Sequence, residues 1–380
     1  MAVGFVGLLV SLSAQLESPV ALSDTICVLD LMRGMDGGRQ ILQADLWRMA
    51  VSKAQATGYQ PDLALSRDGT LLFAISREAG AFADTLSVID TQTGRQVDSQ
   101  AFYHRLTYTA RPNHRSLITS TDGRWLYVGI DDFTAPDKER NIPQVDRYKL
   151  AEYNIDSRTM ASPVDVSDNC LGMDLVPRPG GLYVLCSSAN VVHSFSSTSS
   201  GLASHKVFSV PANLHILIGG VLTTADVTPV HPGLAVGIAA ADGASLTVVT
   251  SYFRVIQMDG ATGAISRFKQ MRADLWTMND CVASPDGSRL YFPAAPDTDY
   301  NRRPGVDRII VLESRSLREL ATFQATETFW NLNISKDGRF LYAVSAESRT
   351  VHVLDSYTGR EIQKLMEVGF TPSKVVLSRF

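Results

Sequence analysis

Residues 332–362, LNISKDGRFLYAVSAESRTVHVLDSYTGREI, decide the fold class. The stretch contains a polar turn that ends in Asp-Gly at 337–338, followed by an apolar run rich in Phe, Leu and Tyr. Asp-Gly between two apolar runs is a strong hairpin signal, because glycine readily takes the positive φ that a tight turn needs. A second strand pattern, VHVLD at 351–355, then ends in a Thr-Gly turn. The stretch therefore predicts short antiparallel strands joined by tight turns.

Both phrases recur along the chain. Further Asp-Gly copies are SRDGTLLFAIS (66–76), STDGRWLYVGI (120–130) and SPDGSRLYFPA (284–294). The second phrase, a strand that ends beside a polar turn, has copies near residues 30, 90, 156, 197, 259, 314 and 355. Their mean spacing of about 54 residues suits a β-propeller with stretched loops, in which each blade is a four-stranded sheet. We therefore predict an all-β, seven-bladed β-propeller, with a stacked sandwich or a β-helix as the alternative.

The two ends of the chain carry strand patterns that could share one blade. Thr25 to Asp30 has the pattern of a third strand, and TPSKVVLS (371–378) resembles a first strand. Pairing the two ends would close the ring and leave no open sheet edge. We therefore expect one propeller domain over residues 24–380, preceded by an N-terminal segment over residues 1–23.

Composition and charge argue against two classes of function. The net charge is −4 and the basic residues form no stripe, which argues against a nucleic-acid binder. The apolar run GFVGLLVSL (4–12) is too short to cross a bilayer, and no other segment could do so. The run resembles the core of an export signal but has no Lys or Arg before it. An imperfect signal or arm and a simple N-terminal strand are therefore both open.

The longer loops should lie on one face of the propeller. Asp-Gly turns join the first strand of a blade to the second and Thr-Gly turns join the third to the fourth, so both kinds of turn share the opposite face. Long loops on a rigid scaffold commonly carry binding sites, and aromatic residues are common in interfaces. We predict contacts with a partner protein for aromatic residues in these loops: Trp47, Tyr103, Trp276, Phe329 and Trp330. Packing between blades is the alternative for each of them.

Two of the four cysteines have the spacing of a cross-strand pair. Cys170 and Cys186 flank the turn PRPG (177–180) at equal distances, which places them nearly opposite each other on adjacent strands. Opposite Cα atoms of an antiparallel pair lie about 4.5–5.5 Å apart, a separation that a disulfide can bridge. Such a bond favours an oxidising compartment. Cys27 and Cys281 lie in different blades, and we expect them to be free buried thiols.

We find no self-contained catalytic motif in the sequence. The seven histidines are scattered without metal-ligand spacing, and no nucleophile elbow, P-loop or dinucleotide fingerprint is present. Acid pairs such as Asp131 with Asp132 could bind a metal, but solvated loop carboxylates explain them better. We therefore predict no catalytic residue and no metal site in this chain.

The order of these phrases resembles the heavy subunit of methylamine dehydrogenase and aromatic amine dehydrogenase. The pieces that carry the resemblance are TGYQPDLALSRDG (57–69), the cysteine pair that starts at DNC (168–170), RIIVLESRSLRELATF (308–323) and the stretch 332–362. The resemblance implies a propeller that holds no cofactor itself. Its partner would be a small subunit bearing tryptophan tryptophylquinone, in an α2β2 hetero-tetramer. The assembly would oxidise a primary amine in the periplasm and pass the electrons to a copper protein or a cytochrome.

The resemblance also implies one substrate-channel residue. The family has a Phe at the channel mouth in a Gly-Phe-x-Pro stretch, and the matching stretch here is Gly58-Tyr59-Gln60-Pro61. Tyr59 would therefore line the channel, and its phenol would add a polar tip to an apolar gate. Ordinary loop packing of Tyr59 is the alternative.

Two other functions compete with the dehydrogenase subunit. A stand-alone propeller enzyme, such as a lactonase or a lyase, would hold a metal in its central channel by inward-facing acids. An interaction scaffold without an enzyme partner would bind proteins tightly and have no redox activity. A cytoplasmic location is the alternative to the periplasm for this chain.

Overall fold

The computed structural model describes most of the chain, in separate ranges. These are residues 25–30, 39–45, 50–57, 62–77, 84–102, 105–106, 117–132, 147–167, 170, 173–186, 190–198, 201–210, 217–218, 221–222, 234–250, 254–271, 275–277, 281–296, 308–325, 327, 329, 331–345, 348–366 and 372–378. Among them, no helix is long and apolar enough to cross a membrane.

The described secondary structure consists of β-strands. The first seventeen are β1 Thr25–Asp30, β2 Arg39–Asp45, β3 Ala50–Thr57, β4 Leu63–Leu65, β5 Leu71–Arg77, β6 Asp84–Asp90, β7 Gln96–Phe102, β8 Arg105–Leu106, β9 Leu117–Thr119, β10 Trp125–Asp132, β11 Arg147–Asn154, β12 Thr159–Met160, β13 Val164–Ser167, β14 Met173–Arg178, β15 Gly181–Cys186, β16 Val191–Thr198 and β17 Gly201–Ser209.

The remaining sixteen strands follow in the C-terminal half. They are β18 Leu217–Ile218, β19 Val221–Leu222, β20 Leu234–Ala239, β21 Ser245–Thr250, β22 Arg254–Asp259, β23 Ile265–Gln270, β24 Leu275–Thr277, β25 Val282–Ala283, β26 Arg289–Pro296, β27 Arg308–Glu313, β28 Glu319–Gln324, β29 Asn331–Ile334, β30 Phe340–Ser345, β31 Thr350–Asp355, β32 Glu361–Leu365 and β33 Pro372–Ser378.

Six antiparallel sheets of four or more strands are each built from consecutive strands, and we number them as blades. Blade 1 is β4–β7, blade 2 is β8–β13, blade 3 is β14–β17, blade 4 is β20–β23, blade 5 is β24–β28 and blade 6 is β29–β32. A two-stranded ribbon, β18–β19, lies between blades 3 and 4 in the sequence. One further sheet, the terminal sheet, has the order β3-β2-β1-β33 and pairs the last strand with the first.

The prediction of seven repeats is corrected by this topology. Within the described ranges, six blades follow one another along the chain, so the predicted seven becomes six. The sequence copy near residue 30 is the one that does not mark the third strand of a blade. Thr25–Asp30 pairs with β33 on one side and β2 on the other, so it is the second strand of the terminal sheet and not a third strand. Its turn therefore joins second and third strands, unlike the turns of the other six copies.

The Asp-Gly phrases form the turns between the first and second strands of blades, as the sequence predicts. In blade 6 the Ser335 hydroxyl donates to Asp337 Oδ1 at 2.6 Å and accepts the N–H of Phe340 at 3.0 Å. The same Ser–Asp contact recurs in blades 1, 2 and 5. Glycine follows the aspartate at positive φ, 75° at Gly338. These local bonds satisfy the backbone groups of the turn and fix the hairpin register.

The Thr-Gly phrases form the turns between the third and fourth strands. In blade 6, Asp355 Oδ1 accepts the backbone N–H of Thr358 at 2.8 Å and its hydroxyl at 2.9 Å. Asp90 in blade 1 and Asp259 in blade 4 make the same contacts. An acid followed by threonine therefore builds this turn by its own side-chain bonds.

Buried aromatic side chains on the second and third strands join neighbouring blades. The Tyr127 hydroxyl of blade 2 lies 2.8 Å from Ser197 Oγ of blade 3. The Tyr183 hydroxyl of blade 3 donates to the carbonyl of Gly260 in blade 4 at 3.0 Å. Both rings are almost fully buried. The core thus consists of apolar layers between adjacent blades, and a polar tip of a tyrosine reaches across each of these two boundaries.

Candidate functional site

The strand order defines two faces of the propeller. Tight turns between first and second and between third and fourth strands lie on one side, which we call the turn face. The connections between second and third strands, and those from one blade to the next, lie on the other side, which we call the loop face. The second strand of each blade ends at the loop face and the third begins there, as the antiparallel pairing of β30 with β31 shows in blade 6.

Most of the predicted site residues fall outside the described side chains. Tyr59, Trp47, Tyr103 and Trp330 lie outside the described residues. Trp276 belongs to β24, and its side chain is not among those described. These predictions therefore stay predictions.

Phe329 is the one predicted interface residue whose side chain is described. It is buried to 2% exposure in the core between blades 5 and 6. Its ring lies edge-on to His352, with centroids 5.1 Å apart. In this chain Phe329 packs inside the fold, which is the alternative that the sequence left open.

The most developed polar site on the loop face surrounds His352 in blade 6. We call it the His352 cluster and define it by six residues: Glu327, Ser348, Thr350, His352, Glu361 and Lys364. His352 Nδ1 lies 2.5 Å from Glu361 Oε2, and Nε2 lies 3.1 Å from Glu327 Oε2. The Thr350 hydroxyl lies 2.8 Å from the same Nε2. Both ring nitrogens of a buried histidine are therefore engaged.

Glu327 holds this cluster to the segment that precedes β29. Its carboxylate accepts hydrogen bonds from Lys364 Nζ at 2.5 Å and from the Ser348 hydroxyl. Burial by itself raises the pKa of Glu327, but the bonds from Lys364 and Ser348 and the nearby His352 outweigh it and bring the pKa to about 2. Glu327 is therefore ionised at neutral pH.

The His352 cluster holds together chain segments that meet at the loop face. Glu327 precedes β29, Ser348 and Thr350 lie just before and at the start of β31, and Lys364 lies near the end of β32. Their bonds join three chain segments that arrive at the same face. Both ring nitrogens of His352, both carboxylate oxygens of Glu327 and the Ser348 and Thr350 hydroxyls have partners within the set. The cluster therefore stabilises this part of the loop face.

Polar side chains on the innermost strands link one blade to the next. Asp62 Oδ2 accepts the N–H of Leu117 from blade 2 at 3.1 Å, and Asp174 Oδ2 accepts the N–H of Gly237 from blade 4 at 3.0 Å. Asn331 Oδ1 accepts the N–H of Val375 from the terminal sheet at 2.9 Å. These inward residues tie neighbouring first strands together.

The other predicted contacts concern cysteines and metals. Cys170 and Cys186 form a disulfide with Cα atoms 4.6 Å apart, which confirms the predicted bond. It joins the segment before β14 to the end of β15, at the loop face of blade 3.

Cys281 is buried and is not part of a disulfide, as predicted, whereas the side chain of Cys27 is not described. Among the described side chains, no group of three or more His, Cys, Asp or Glu could hold a metal ion.

The His352 cluster was missed by sequence reasoning, although His352 lies in the stretch that decided the fold. Its main partner, Glu327, is 25 residues away in the sequence and belongs to a connection between blades. Only the pairing of β31 with β32 brings Lys364 opposite His352. No local motif encodes such an arrangement.

The C-terminal part of the chain is similar to one known protein family. Residues 278–378 match the family model of the methylamine dehydrogenase heavy chain. The matched range contains blade 6 with its His352 cluster, most of blade 5 and all of β33. No curated protein sequence matches the chain.

Solved structures share the fold at low sequence identity. Hydrazine synthase from Kuenenia stuttgartiensis has a TM-score of 0.58 and 15% identity, covering 83% of this chain and 89% of that chain. A protein of unknown function from Desulfotomaculum acetoxidans has a TM-score of 0.63 and 15% identity, with coverage of 93% and 98%. A candidate 6-phosphogluconolactonase from Bacteroides fragilis has a TM-score of 0.59 and 13% identity, with coverage of 94% and 99%. At these identities the similarity establishes the propeller fold and not an activity.

Proposed function

We propose that this chain is the large, scaffolding subunit of a quinone-dependent amine dehydrogenase. The observation that carries the proposal is the match of residues 278–378 to the heavy-chain family model. The order of phrases that resembles the same family over the rest of the propeller supports it. In this proposal the catalytic tryptophan tryptophylquinone belongs to a small partner subunit, and it supplies the oxidation of a primary amine.

The role of this chain is to dock the small subunit on the loop face and to cover the substrate channel. A docking surface needs to be held in one conformation before the partner arrives, because ordering it on binding costs affinity. The His352 cluster supplies such support in blade 6, where it joins three segments at the loop face. The aromatic residues predicted for this face would provide apolar contacts, and Tyr59 would line the channel.

One exposed apolar side chain marks the loop face of blade 6. Met366 directly follows β32 and is 55% exposed. It lies two residues beyond Lys364 of the His352 cluster. Exposed methionine suits an interface, because its flexible, polarisable side chain adapts to a partner. We assign Met366 to the docking surface.

The disulfide is consistent with the proposed periplasmic location, because disulfides persist in oxidising compartments. The α2β2 assembly and transfer of electrons to a copper protein or a cytochrome belong to the same proposal.

A paired substitution tests the docking face. Met366→Asp places a charge on the loop face, and the matched control Tyr357→Asp places the same charge on the turn face of the same blade, where Tyr357 is 60% exposed. Each tagged variant is expressed in the native host and recovered with its partners. We expect Met366→Asp to lower recovery of the small subunit about tenfold or more, because a buried, unpaired charge at an interface is costly.

Recovery of the small subunit also defines the control and the result that would contradict docking on the loop face. Tyr357→Asp should recover the small subunit as the wild type does, and both variants should unfold at temperatures close to the wild type. Equal recovery by Met366→Asp and the wild type would contradict docking at this part of the loop face. Loss of partner only from Tyr357→Asp would place the interface on the turn face.

The alternative of a stand-alone channel enzyme is testable in the same preparation. Asp62 and Asp174, two acids of the innermost strands, bond to backbone N–H groups of the next blade. A metal-dependent channel enzyme would retain stoichiometric metal after purification, whereas a scaffold would not.

A further inference from the structure

A cavity lies on the turn face between blades 3 and 4, on the side opposite the proposed docking face. Its volume is about 260 Å³. Blade 3 contributes the side chains of Arg178, Tyr183, Ser194, Ser196 and Lys206, and blade 4 contributes the turn at Gly260 and Ala261. Arg178 is the second residue of the PRPG turn, which the sequence marked only as a hairpin. The lining includes two basic residues and no acidic residue.

Neutral oxygen atoms hold the Arg178 guanidinium in place. Its Nη2 donates to the carbonyl of Phe195 at 2.8 Å and to the hydroxyls of Ser196 at 3.2 Å and Ser194 at 3.3 Å. Its Nη1 donates to the carbonyl of Pro179 at 3.1 Å. The guanidinium carbon also lies 5.3 Å from the ring centroid of Tyr183. The cation is therefore oriented without any carboxylate partner.

The hairpin glycine makes this arrangement possible. A Cβ atom at Gly181 would collide with the carbonyl oxygen of Phe195, which is the group that accepts from Arg178. The close approach of β15 to β16 therefore needs glycine at this position. This close approach lets the Arg178 guanidinium reach the carbonyl of Phe195 on β16.

Lys206 brings a second cation to the same cavity. Its Nζ donates to the carbonyl of Ala261 at 3.2 Å, which is again a neutral acceptor. Among the described residues, neither Lys206 nor Arg178 forms an ion pair, although the whole chain has a net charge of −4. Two cations in a lining that contains no carboxylate favour an anion, and hydroxyl groups beside them add hydrogen-bond capacity.

We propose that this cavity binds a phosphate group, either free or carried by a small phosphomonoester. Arginine with a planar fork and lysine as a point charge are the usual partners of phosphate oxygens. The hydroxyls of Ser194 and Ser196 can turn toward a bound anion, since each is a rotatable donor. The site is independent of the proposed dehydrogenase function, because it lies on the opposite face.

Calorimetric titration of the purified full-length chain tests the site. The probes are inorganic phosphate and glycerol 3-phosphate, at low ionic strength so that screening is small. Lys206→Met should raise the Kd for the bound probe about tenfold, because one charge-assisted contact is lost. Arg178→Lys should also weaken binding, since lysine retains the charge but loses the planar fork. The matched control is Arg360→Gln, an exposed arginine on the turn face of blade 6, which should bind as the wild type does.

Each outcome decides the proposal. Tighter binding of glycerol 3-phosphate than of inorganic phosphate supports a phosphomonoester ligand, and equal binding supports free phosphate. No binding of either probe at millimolar concentration would overturn the proposal. Binding that Lys206→Met leaves unchanged would also overturn it, and because Lys206 is exposed and bonds only to a carbonyl, loss of folding should not obscure that result.

Discussion

Lys374 Nζ lies 2.5 Å from Asp62 Oδ1, and this contact joins the last strand of the chain to the first residue described in blade 1. The two side chains are only 14% and 12% exposed. Asp62 also accepts the N–H of Leu117 in blade 2 through its other oxygen. One carboxylate therefore connects the terminal sheet, blade 1 and blade 2. Removal of its cation should weaken the closure of the propeller.

Lys374→Met should lower the free energy of unfolding by about 3–5 kcal/mol, because it leaves a buried carboxylate without its cation. Denaturant unfolding of the full-length chain measures the change. The control is Arg318→Met, which removes an exposed pair with Glu313 at 3.8 Å and should cost less than about 1 kcal/mol. Equal effects of the two substitutions would show that the buried pair does not hold the ring closed.

Gly359→Ala should destabilise blade 6 more than Gly287→Ala destabilises blade 5. Both glycines have positive φ, 71° and 68°, so alanine costs about 1–2 kcal/mol at each. A Cβ at Gly359 would also collide with the ring of Phe323, whereas a Cβ at Gly287 has nothing within 4 Å. The collision should add about 1–3 kcal/mol. Thermal unfolding of the two variants compares them, and indistinguishable losses would contradict the close approach at Gly359.

The double substitution Cys170→Ser with Cys186→Ser should reduce stability by about 3 kcal/mol, the expected effect of a cross-link that closes a loop of this size. The two cysteines are 16 residues apart in the sequence. Reductant should lower the unfolding temperature of the wild type toward that of the double variant. Reductant should have no further effect on the double variant itself. A wild type that is insensitive to reductant after unfolding and refolding would argue against the bond.

The contribution of Glu327 to stability should depend on pH in a defined direction. Its pKa in the folded chain is lowered to about 2 from an ordinary value of 4.5. A lowered pKa contributes stability that is complete above the ordinary value and disappears as the pH falls to the folded value. Glu327→Gln should therefore melt below the wild type between pH 5 and 7, and the difference should shrink from about pH 4.5 to about pH 2.

The control for this pH dependence is an exposed carboxylate on the turn face. Asp156→Asn changes a solvent-exposed residue of the blade 2 turn, and its difference from the wild type should stay small throughout. A gap between wild type and Glu327→Gln that widens on acidification would contradict an ionised, clamped Glu327.

Local turn chemistry explains why most of the blade pattern was predictable. The Ser–x–Asp–Gly and Asp–x–x–Thr–Gly phrases make their bonds within a few residues, so the sequence alone locates them. Blade 4 shows the limit of this reasoning. Its first turn has Ala240 in place of serine, yet Gly243 still has a φ of 71° and its N–H donates to the Ala240 carbonyl at 2.8 Å. This Asp-Gly turn lacks the serine bond and is not among the copies identified from the sequence.

The count of repeats failed for a different reason. Thr25–Asp30 ends in an acid like the third strands of other blades, but its place is fixed by pairing with β33, nearly 350 residues further along the chain. A strand pattern predicts that a strand exists, but it does not predict the position of that strand in the sheet. The His352 cluster and the Arg178 cavity were missed similarly, because each joins segments that only the folded blades bring together.

The central proposal, a scaffold that works with a quinone-bearing subunit, is tested most directly by one purification. The tagged chain is recovered from its native host, and the mass of the complex is recorded together with its visible absorbance. We predict a small subunit in equal amount with this chain and a visible quinone absorption that a primary amine bleaches. A colourless preparation that contains this chain alone would contradict the proposal.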